Sequence, residues 1–247
     1  LRDPFLSWQP ISDGVTQAWH LIATCDPQIV DITIRSLQTS SMATVMAALV
    51  GLPLGIIIGM GSFRGKELVK ILFNALVGVP TVSLGLFLWA MFSRDGPLGV
   101  LDLLYTVPGI AVGEAILIIP IIVSFTASAI EAKDEKLRDL VRTLGASDFE
   151  TAMAILREAW GGVSLALVSS FNRAFAELGI AMMLGANIRG ITRVLTTAIS
   201  LETAKGELGL SFALSFILFA VVLSLNFVVG YVGRSRWFGD LQARSGW

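Results

Sequence analysis

Charged residues are spread so unevenly along the chain that long uncharged, apolar windows stand out. Residues 36–63 hold no charge between Arg35 and Arg64, residues 71–93 none between Lys70 and Arg94, and residues 208–233 none between Glu207 and Arg234. A helix needs about 20 residues to cross the hydrocarbon of a bilayer, so each window predicts a membrane span. Two further windows are long enough but interrupted: residues 106–130 contain Glu114, and residues 162–184 contain Arg173 and Glu177. The pattern therefore predicts an all-α membrane protein, a polytopic bundle of five transmembrane helices. Pro53, Pro80 and Pro120 fall inside these windows, where neighbouring helices can satisfy the backbone groups that proline frees. Small residues such as Gly51, Gly55, Gly59 and Gly61, and Ala166, Ser170 and Ala174, allow close helix approach.

Before the first span, residues 12–24 place Val15, Ala18, Trp19 and Ile22 on one helical face, ending at Cys25-Asp26-Pro27. That stretch predicts a short helix, either at headgroup level with its tryptophan or packed on the outside of the bundle. Residues 1–30 form an extracytoplasmic or interfacial segment in which no cleavable signal peptide is expected. Residues 31–233 form the transmembrane domain and 234–247 a cytoplasmic tail.

Orientation follows from Lys and Arg. One side of a five-span topology collects Arg64, Lys66, Lys70, Lys133, Lys136, Arg138, Arg142, Arg157, Arg234, Arg236 and Arg244. The other collects six: Arg2, Arg35, Arg94, Arg189, Arg193 and Lys205. The richer side is cytoplasmic, which puts the N-terminus outside and the C-terminus inside. Composition agrees: 54% of the 247 residues are hydrophobic and 15% charged, against about 25% charged in soluble domains. A net charge of −1 gives no electrostatic case for nucleic acid. One cysteine, Cys25, and one histidine, His20, leave no disulfide and no metal site to expect. No catalytic residue is expected either, and the G-x-x-x-x-G-K-[ST] nucleotide motif does not occur.

The cytoplasmic segment between spans three and four, residues 134–160, carries the sharpest pattern. Asp134 suits an N-cap, and Leu137, Leu140, Val141 and Leu144 follow at helical spacing. Gly145 stands where a helix ends in a left-handed residue. Ser147-Asp148-Phe149-Glu150 reads as a capping box that opens a second helix, with Phe149, Met153, Leu156 and Trp160 as its apolar face. Two short helices with a corner at Gly145-Ala146 make either a membrane-lying connection or a device that docks into a groove on a cytoplasmic partner.

This segment resembles the EAA loop of ABC importer permeases, whose pattern is Glu-Ala-Ala, three residues, Gly, nine residues, then Ile-x-Leu-Pro. Asp139-Leu140-Val141 stands for the first three, Gly145 matches the glycine, and Ile155 falls at the right spacing, while Arg157 and Glu158 replace the Leu and Pro. The resemblance implies a coupling helix, with Asp139, Leu140, Arg142, Thr143, Leu144, Gly145, Ala146 and Ser147 contacting an ATPase subunit.

Charges within spans are costly and mark function by default. Arg173 and Glu177 are four apart and are expected on one helical face, as a structural ion pair or on the anion path. The Arg173-Ala-Phe-Ala-Glu177-Leu-Gly179 stretch resembles the Arg-x-x-x-Glu-Phe-Gly of molybdate, sulfate and tungstate permeases, with Leu178 for Phe. At about 1.5 Å per residue, Glu114, Arg173 and Glu177 reach overlapping depths, so Arg173 is expected to pair with at least one glutamate. The other is expected to be protonated or to reach a hydroxyl or water.

The outer loop, residues 185–207, offers Asn187, Arg189, Arg193, Thr196 and Thr197, together with Thr192 and the backbone at Gly185 and Gly190. Those groups suit a tetrahedral oxyanion or a binding-protein surface. The MMLGANIRG stretch at 182–190 and the ILREA stretch at 155–159 are similar to tungstate-specific ABC permeases, over about residues 30–233. The resemblance implies a multi-pass bacterial inner-membrane subunit that forms a homodimer, with two ATP-binding subunits and a periplasmic solute-binding protein. ATP and Mg would be bound by the ATPase and no cofactor by this chain, and import would follow alternating access. The expected cargo is tungstate, with molybdate or another oxyanion as the alternative. An ion-coupled secondary transporter, using Glu114 and Glu177, is the reading from another class, and a non-transport membrane scaffold the third.

Overall fold

A computed structural model describes residues 9–132 and 147–244, and all regular structure among them is helical. The order is α1 (Gln9–Ala23), α2 (Pro27–Met60), α3 (Lys66–Val77), α4 (Thr81–Phe92), a 3-10 turn (Gly99–Leu101) and α5 (Val107–Glu131). Then follow α6 (Asp148–Glu158), α7 (Trp160–Phe175), α8 (Gly179–Gly185), α9 (Leu195–Lys205) and α10 (Leu208–Arg244). Three helices are long and apolar enough to cross a membrane: α2, α5 and the Leu208–Tyr231 part of α10. They coincide with the first, third and fifth expected spans.

The other two expected spans are not single helices. Residues 71–93 divide into α3 and α4, which together form a fourth candidate span broken at 78–80. The backbone N–H groups of Gly78 and Val79 close α3 on the Ala75 and Leu76 carbonyls, at 3.1 and 3.3 Å. Pro80, whose ring disfavours helical backbone in the residue before it, then starts α4 in extended conformation at φ −63° and ψ 119°. Residues 162–184 divide likewise, because α7 ends at Phe175 and α8 begins at Gly179. Absence of charge measures apolarity, not helix continuity, so neither break shows in the windows.

The chain forms two compact units. The first contains Leu1–Met42, Pro80–Glu114 and Phe175–Val222; the second contains Ala43–Val79, Ala115–Ala174 and Leu223–Trp247. In the first, the short helix α8 is buried through Gly179, Ile180, Ala181, Leu184 and Gly185. Glycines bring it close to its neighbours: a Cβ at Gly85 would meet Met183 at 3.0 Å, and one at Gly113 would meet Leu184 at 2.5 Å. Helix α1 packs on the start of α10 through Gly14, against Leu208 and Phe212. Of the four residues expected on one face of α1, Ala18 is buried and Ile22 half-buried. Gly14 and Ala18 are inward, whereas Val15 and Trp19 are exposed, Trp19 at 72%. Glycine wins over the larger apolar residues because it lets the backbones approach.

In the second unit, α2 and α5 lie along a glycine ladder. A Cβ at Gly51, Gly55 or Gly59 would lie 2.9, 2.7 and 2.9 Å from the Cβ of Ile122, Thr126 and Ile130. Below it, Ile130, Ile155, Ala159 and Val163 form a buried cluster with Leu52, Ile56 and Leu156. Of the face expected here, Leu156 packs against this cluster while Met153 and Trp160 are exposed; Thr151 and Ile155 of α6, and Ala159 just beyond it, are buried.

Candidate functional site

The polar groups of the first unit gather around α8. Helix α7 stops at Phe175, so Glu177 sits in the connection to α8 rather than on a helical face shared with Arg173. That corrects the i,i+4 expectation. Glu177 is 3% exposed. Its carboxylate accepts from the backbone N–H of Ile180 at 3.2 Å, satisfying one of the donors that the start of a helix leaves open. Its carbonyl accepts from the Thr196 hydroxyl at 2.7 Å. Glu114, 2% exposed, hydrogen-bonds Ser40 and lies within electrostatic reach of Glu177. Its second oxygen, Oε2, has no hydrogen-bond partner among the described residues. Glu114 thus reaches a hydroxyl, one of the outcomes expected for a second buried carboxylate. Arg173, in the last turn of α7 within the second unit, is half-buried.

Sequence reasoning missed the seam on α2 that supports these groups. Ser36 donates to the Ile32 carbonyl at 2.9 Å and accepts from the Leu195 N–H at 2.7 Å, at the start of α9. Ser40, one turn later, serves Glu114. The signal was present as Gln38-Thr39-Ser40-Ser41 in the first third of an otherwise apolar window.

The outer loop is prebuilt. Ala186, Asn187 and Gly190 are left-handed, at φ 55°, 53° and 77°, which turns the chain sharply after α8. Thr192 donates to the Gly185 carbonyl and accepts from the Ile188 N–H. Thr197 donates to Val194 at 3.0 Å and accepts from its N–H at 3.1 Å. Asn187 donates to the Thr197 carbonyl at 3.3 Å. A hydroxyl has one proton to donate, so Thr192, Thr196 and Thr197 spend theirs inside the fold and not on an anion. Arg193 is 9% exposed and faces Glu202 at 3.5 Å, which also holds Lys205. Arg189 is exposed, on Gln28 at 3.0 Å. Arg35 bridges Asp31 and the Gly190 carbonyl, each at 2.9 Å. The loop presents a fixed surface with Arg189 outward.

Of the segment expected to couple to an ATPase, Asp139, Leu140, Arg142, Thr143, Leu144, Gly145 and Ala146 lie outside the described residues. Ser147 is described, and the capping box is formed. Ser147 donates from its N–H and hydroxyl to Glu150 Oε2, each at 2.8 Å, and accepts from the Glu150 N–H at 3.3 Å. Those hydrogen bonds hold the exposed Glu150 carboxyl below its ordinary pKa. On the other side of the segment, Glu131 takes Lys66 at 2.8 Å and Lys70 at 2.9 Å. Lys66 also caps the end of α2 through the Gly59 carbonyl at 3.2 Å. This network was not read from the sequence, where both lysines counted only toward orientation and Glu131 passed unremarked.

Comparison with known proteins fits these features. A tungstate uptake system permease protein of Peptoclostridium acidaminophilum is 35% identical over 89% of this chain and 96% of its own length. Its counterpart from Campylobacter jejuni is 34% identical over 95% and 98%. An inward-facing structure of the MetNI methionine ABC transporter superposes with a TM-score of 0.69 at 17% identity, covering 84% of this chain and 95% of that one, which establishes a shared fold. Residues 51–237 match the family model of the binding-protein-dependent transport system inner membrane component. The chain belongs to that family: it is an inner-membrane permease subunit of an ABC importer.

Proposed function

We propose that this permease imports tungstate. The observation that carries the reading is its similarity, along nearly the whole chain, to two tungstate uptake permeases. Two copies of the chain pair with two ATPase subunits, which bind ATP and Mg, and receive the anion from a periplasmic binding protein. ATP closes the ATPase dimer, the coupling segments approach each other, and the path opens outward. The internally bonded hydroxyls of the outer loop support a division of labour in which the binding protein selects the cargo and the loop receives that protein.

The topology we propose has five spans: α2, the pair α3 and α4, α5, the pair α7 and α8, and α10. The N-terminus lies outside, and a cysteine at position 245 should label only from the cytoplasm. Residues 139–147 form the coupling corner that enters the ATPase. The Glu131 anchor before it and the capping box after it support a segment held firmly at both ends. Arg173 is a half-buried charge within a proposed span, costly to hold there without a structural role, so Arg173→Ala should lower the amount of assembled complex recovered by size exclusion.

The deciding experiment reconstitutes the permease with its ATPase and binding protein in proteoliposomes and measures tungsten uptake by mass spectrometry. Uptake should require hydrolysable ATP, and Gly145→Asp should abolish it while the complex still assembles, because a side chain strains a left-handed corner. Uptake driven by an ion gradient without ATP would replace this reading with a secondary transporter. Preference for molybdate or sulfate at equal concentration would change the cargo.

A further inference from the structure

The fold uses only part of the apolar side of α1. Gly14 packs on α10, where a Cβ would meet Leu208 at 3.1 Å and Phe212 at 3.2 Å, and Ala18, one turn on, is buried. Ile11, Val15 and Trp19 follow at four-residue spacing and form the adjoining ridge. They are 43%, 41% and 72% exposed. The level of this ridge is fixed by α10. The apolar stretch Leu208–Tyr231 has 24 residues, about 36 Å of helix against about 30 Å of hydrocarbon. Gly14, beside Leu208 and Phe212, therefore sits at the edge of the hydrocarbon. Trp19, five residues on, lies within about 8 Å of that edge, at the depth of the headgroups. A tight turn ties the other end of α1 to α2. The N–H groups of Thr24, Cys25 and Asp26 bond back to the carbonyls of His20, Ile22 and Leu21, and α2 begins at Pro27. The flank of α10 that α1 meets is itself apolar and open. Phe212 stacks on Phe216, with ring centroids 6.2 Å apart, and Phe216 and Phe219 are 39% and 62% exposed. The ridge of α1 continues that surface.

We propose that α1 is a membrane-surface helix whose Ile11, Val15 and Trp19 insert into phospholipid at the headgroup–acyl boundary of the outer leaflet. The ridge lies at headgroup depth and adjoins the side of α10 that faces lipid. It also carries a tryptophan, whose apolar ring and polar N–H suit that depth. Residues 9–23 contain no lysine or arginine, so apolar insertion, and not attraction to anionic lipid, holds the helix. The seat itself requires only that α10 spans the membrane. Its assignment to the outer leaflet rests on the importer topology, which labelling at position 245 tests separately.

The test uses the whole transporter, with its ATPase and binding protein, in phosphatidylcholine nanodiscs. The exposed Cys25 is removed as Cys25→Ser, and a nitroxide is attached to Val15→Cys, Trp19→Cys or Thr16→Cys, one at a time. Oxygen concentrates in lipid, and a nickel chelate stays in water. Oxygen should relax the labels at positions 15 and 19 several-fold more than the chelate does, and the order should reverse at position 16 on the polar face. Stronger relaxation by the chelate at 15 and 19 would put the ridge in water and overturn the proposal. Weak relaxation by both would mean that protein covers the ridge, which also overturns it. Repeating that measurement without the binding protein would then tell that partner from a second copy of the chain. A label-free check uses brominated phosphatidylcholine, which should quench tryptophan fluorescence more in the wild type than in Trp19→Phe. Equal quenching would refute contact between Trp19 and lipid.

Discussion

Helices α5 and α10 are both long, charge-poor and apolar enough to span a membrane, yet 78% of the most apolar stretch of α5 is buried and only 11% of that of α10. Lipid is as apolar as leucine, so apolarity cannot say which helix goes inside. The difference lies in the small and polar residues. Helix α5 carries Gly109, Ala111, Gly113, Glu114, Ala115, Ser124, Thr126 and Ala127, nearly all close-packed or buried. Helix α10 turns Phe219, Leu223, Phe227 and Tyr231 outward, each more than 60% exposed. Residues that look dispensable for hydrophobicity mark the interior, and those that look like core mark the outside.

The largest effect should come from filling the ladder on which α5 rests. At Gly55 even a methyl group would lie 2.7 Å from Thr126 Cβ, so Gly55→Leu should cost about 3 kcal/mol or more and remove most of the assembled complex. Phe227→Leu on α10, at a side chain 78% exposed, should stay within about 0.5 kcal/mol. Thermal midpoints of the two purified variants compare them directly. If both melt like the wild type, burial is not what separates the helices.

Next in size is the polar support of α5. Ser40→Ala removes the hydroxyl that Glu114 meets and leaves a buried carboxyl poorer by one hydrogen bond, at a cost of about 1–3 kcal/mol. Ser40→Thr keeps the hydroxyl and should recover part of the lost melting temperature. Equal loss in both variants would show that space, not the hydroxyl, matters at that position. A smaller effect is expected at the end of α5. Glu131→Gln weakens the pairing with Lys66 and Lys70, whose side chains are 21% and 25% exposed. Partial solvent screening holds the loss to about 1 kcal/mol, and high salt should shrink the difference from wild type.

The same contrast explains what could be read in advance. The charge-free windows at 36–63 and 208–233 found α2 and α10, and the window interrupted by Glu114 found α5, because lipid selects for apolar length. They missed the breaks at 78–80 and 176–178, since a gap of three residues leaves the average untouched. Pro80 and the Glu177-Leu178-Gly179 run were the local signs, but proline is also tolerated inside α2 at Pro53 and α5 at Pro120. The capping box was legible because its partners are three residues apart. The Lys66–Glu131–Lys70 network was not, because Glu131 lies more than sixty positions from either lysine and meets them only after α2, α3 and α5 pack. The outer-loop threonines were legible as hydroxyls, but the internal acceptors that occupy them were not, since those acceptors depend on the turn that Ala186 and Asn187 make.

The smallest effect is expected at α6, outside the spans, where neither lipid nor a small-residue seam sets the structure. Its N-terminus depends on the Ser147–Glu150 box. The Glu150 carboxyl titrates below its ordinary value because it accepts from the Ser147 N–H and hydroxyl. A group with a lowered pKa in the folded state stabilises that state once it is ionised in the unfolded chain as well, near pH 4.3 and above. The contribution fades as pH falls through the lower folded value. At neutral pH the cap is therefore whole, and acid opens it. Hydrogen exchange of the Glu150 and Thr151 amides, corrected for intrinsic rates, should be slower in the wild type than in Glu150→Gln at pH 6, with the gap narrowing below about pH 4. Gln donates as well as accepts, so it retains a weaker box, and the difference should be modest. Identical exchange at pH 6 would mean that α6 is held by Ile155 and Ala159 in the core and not by its cap.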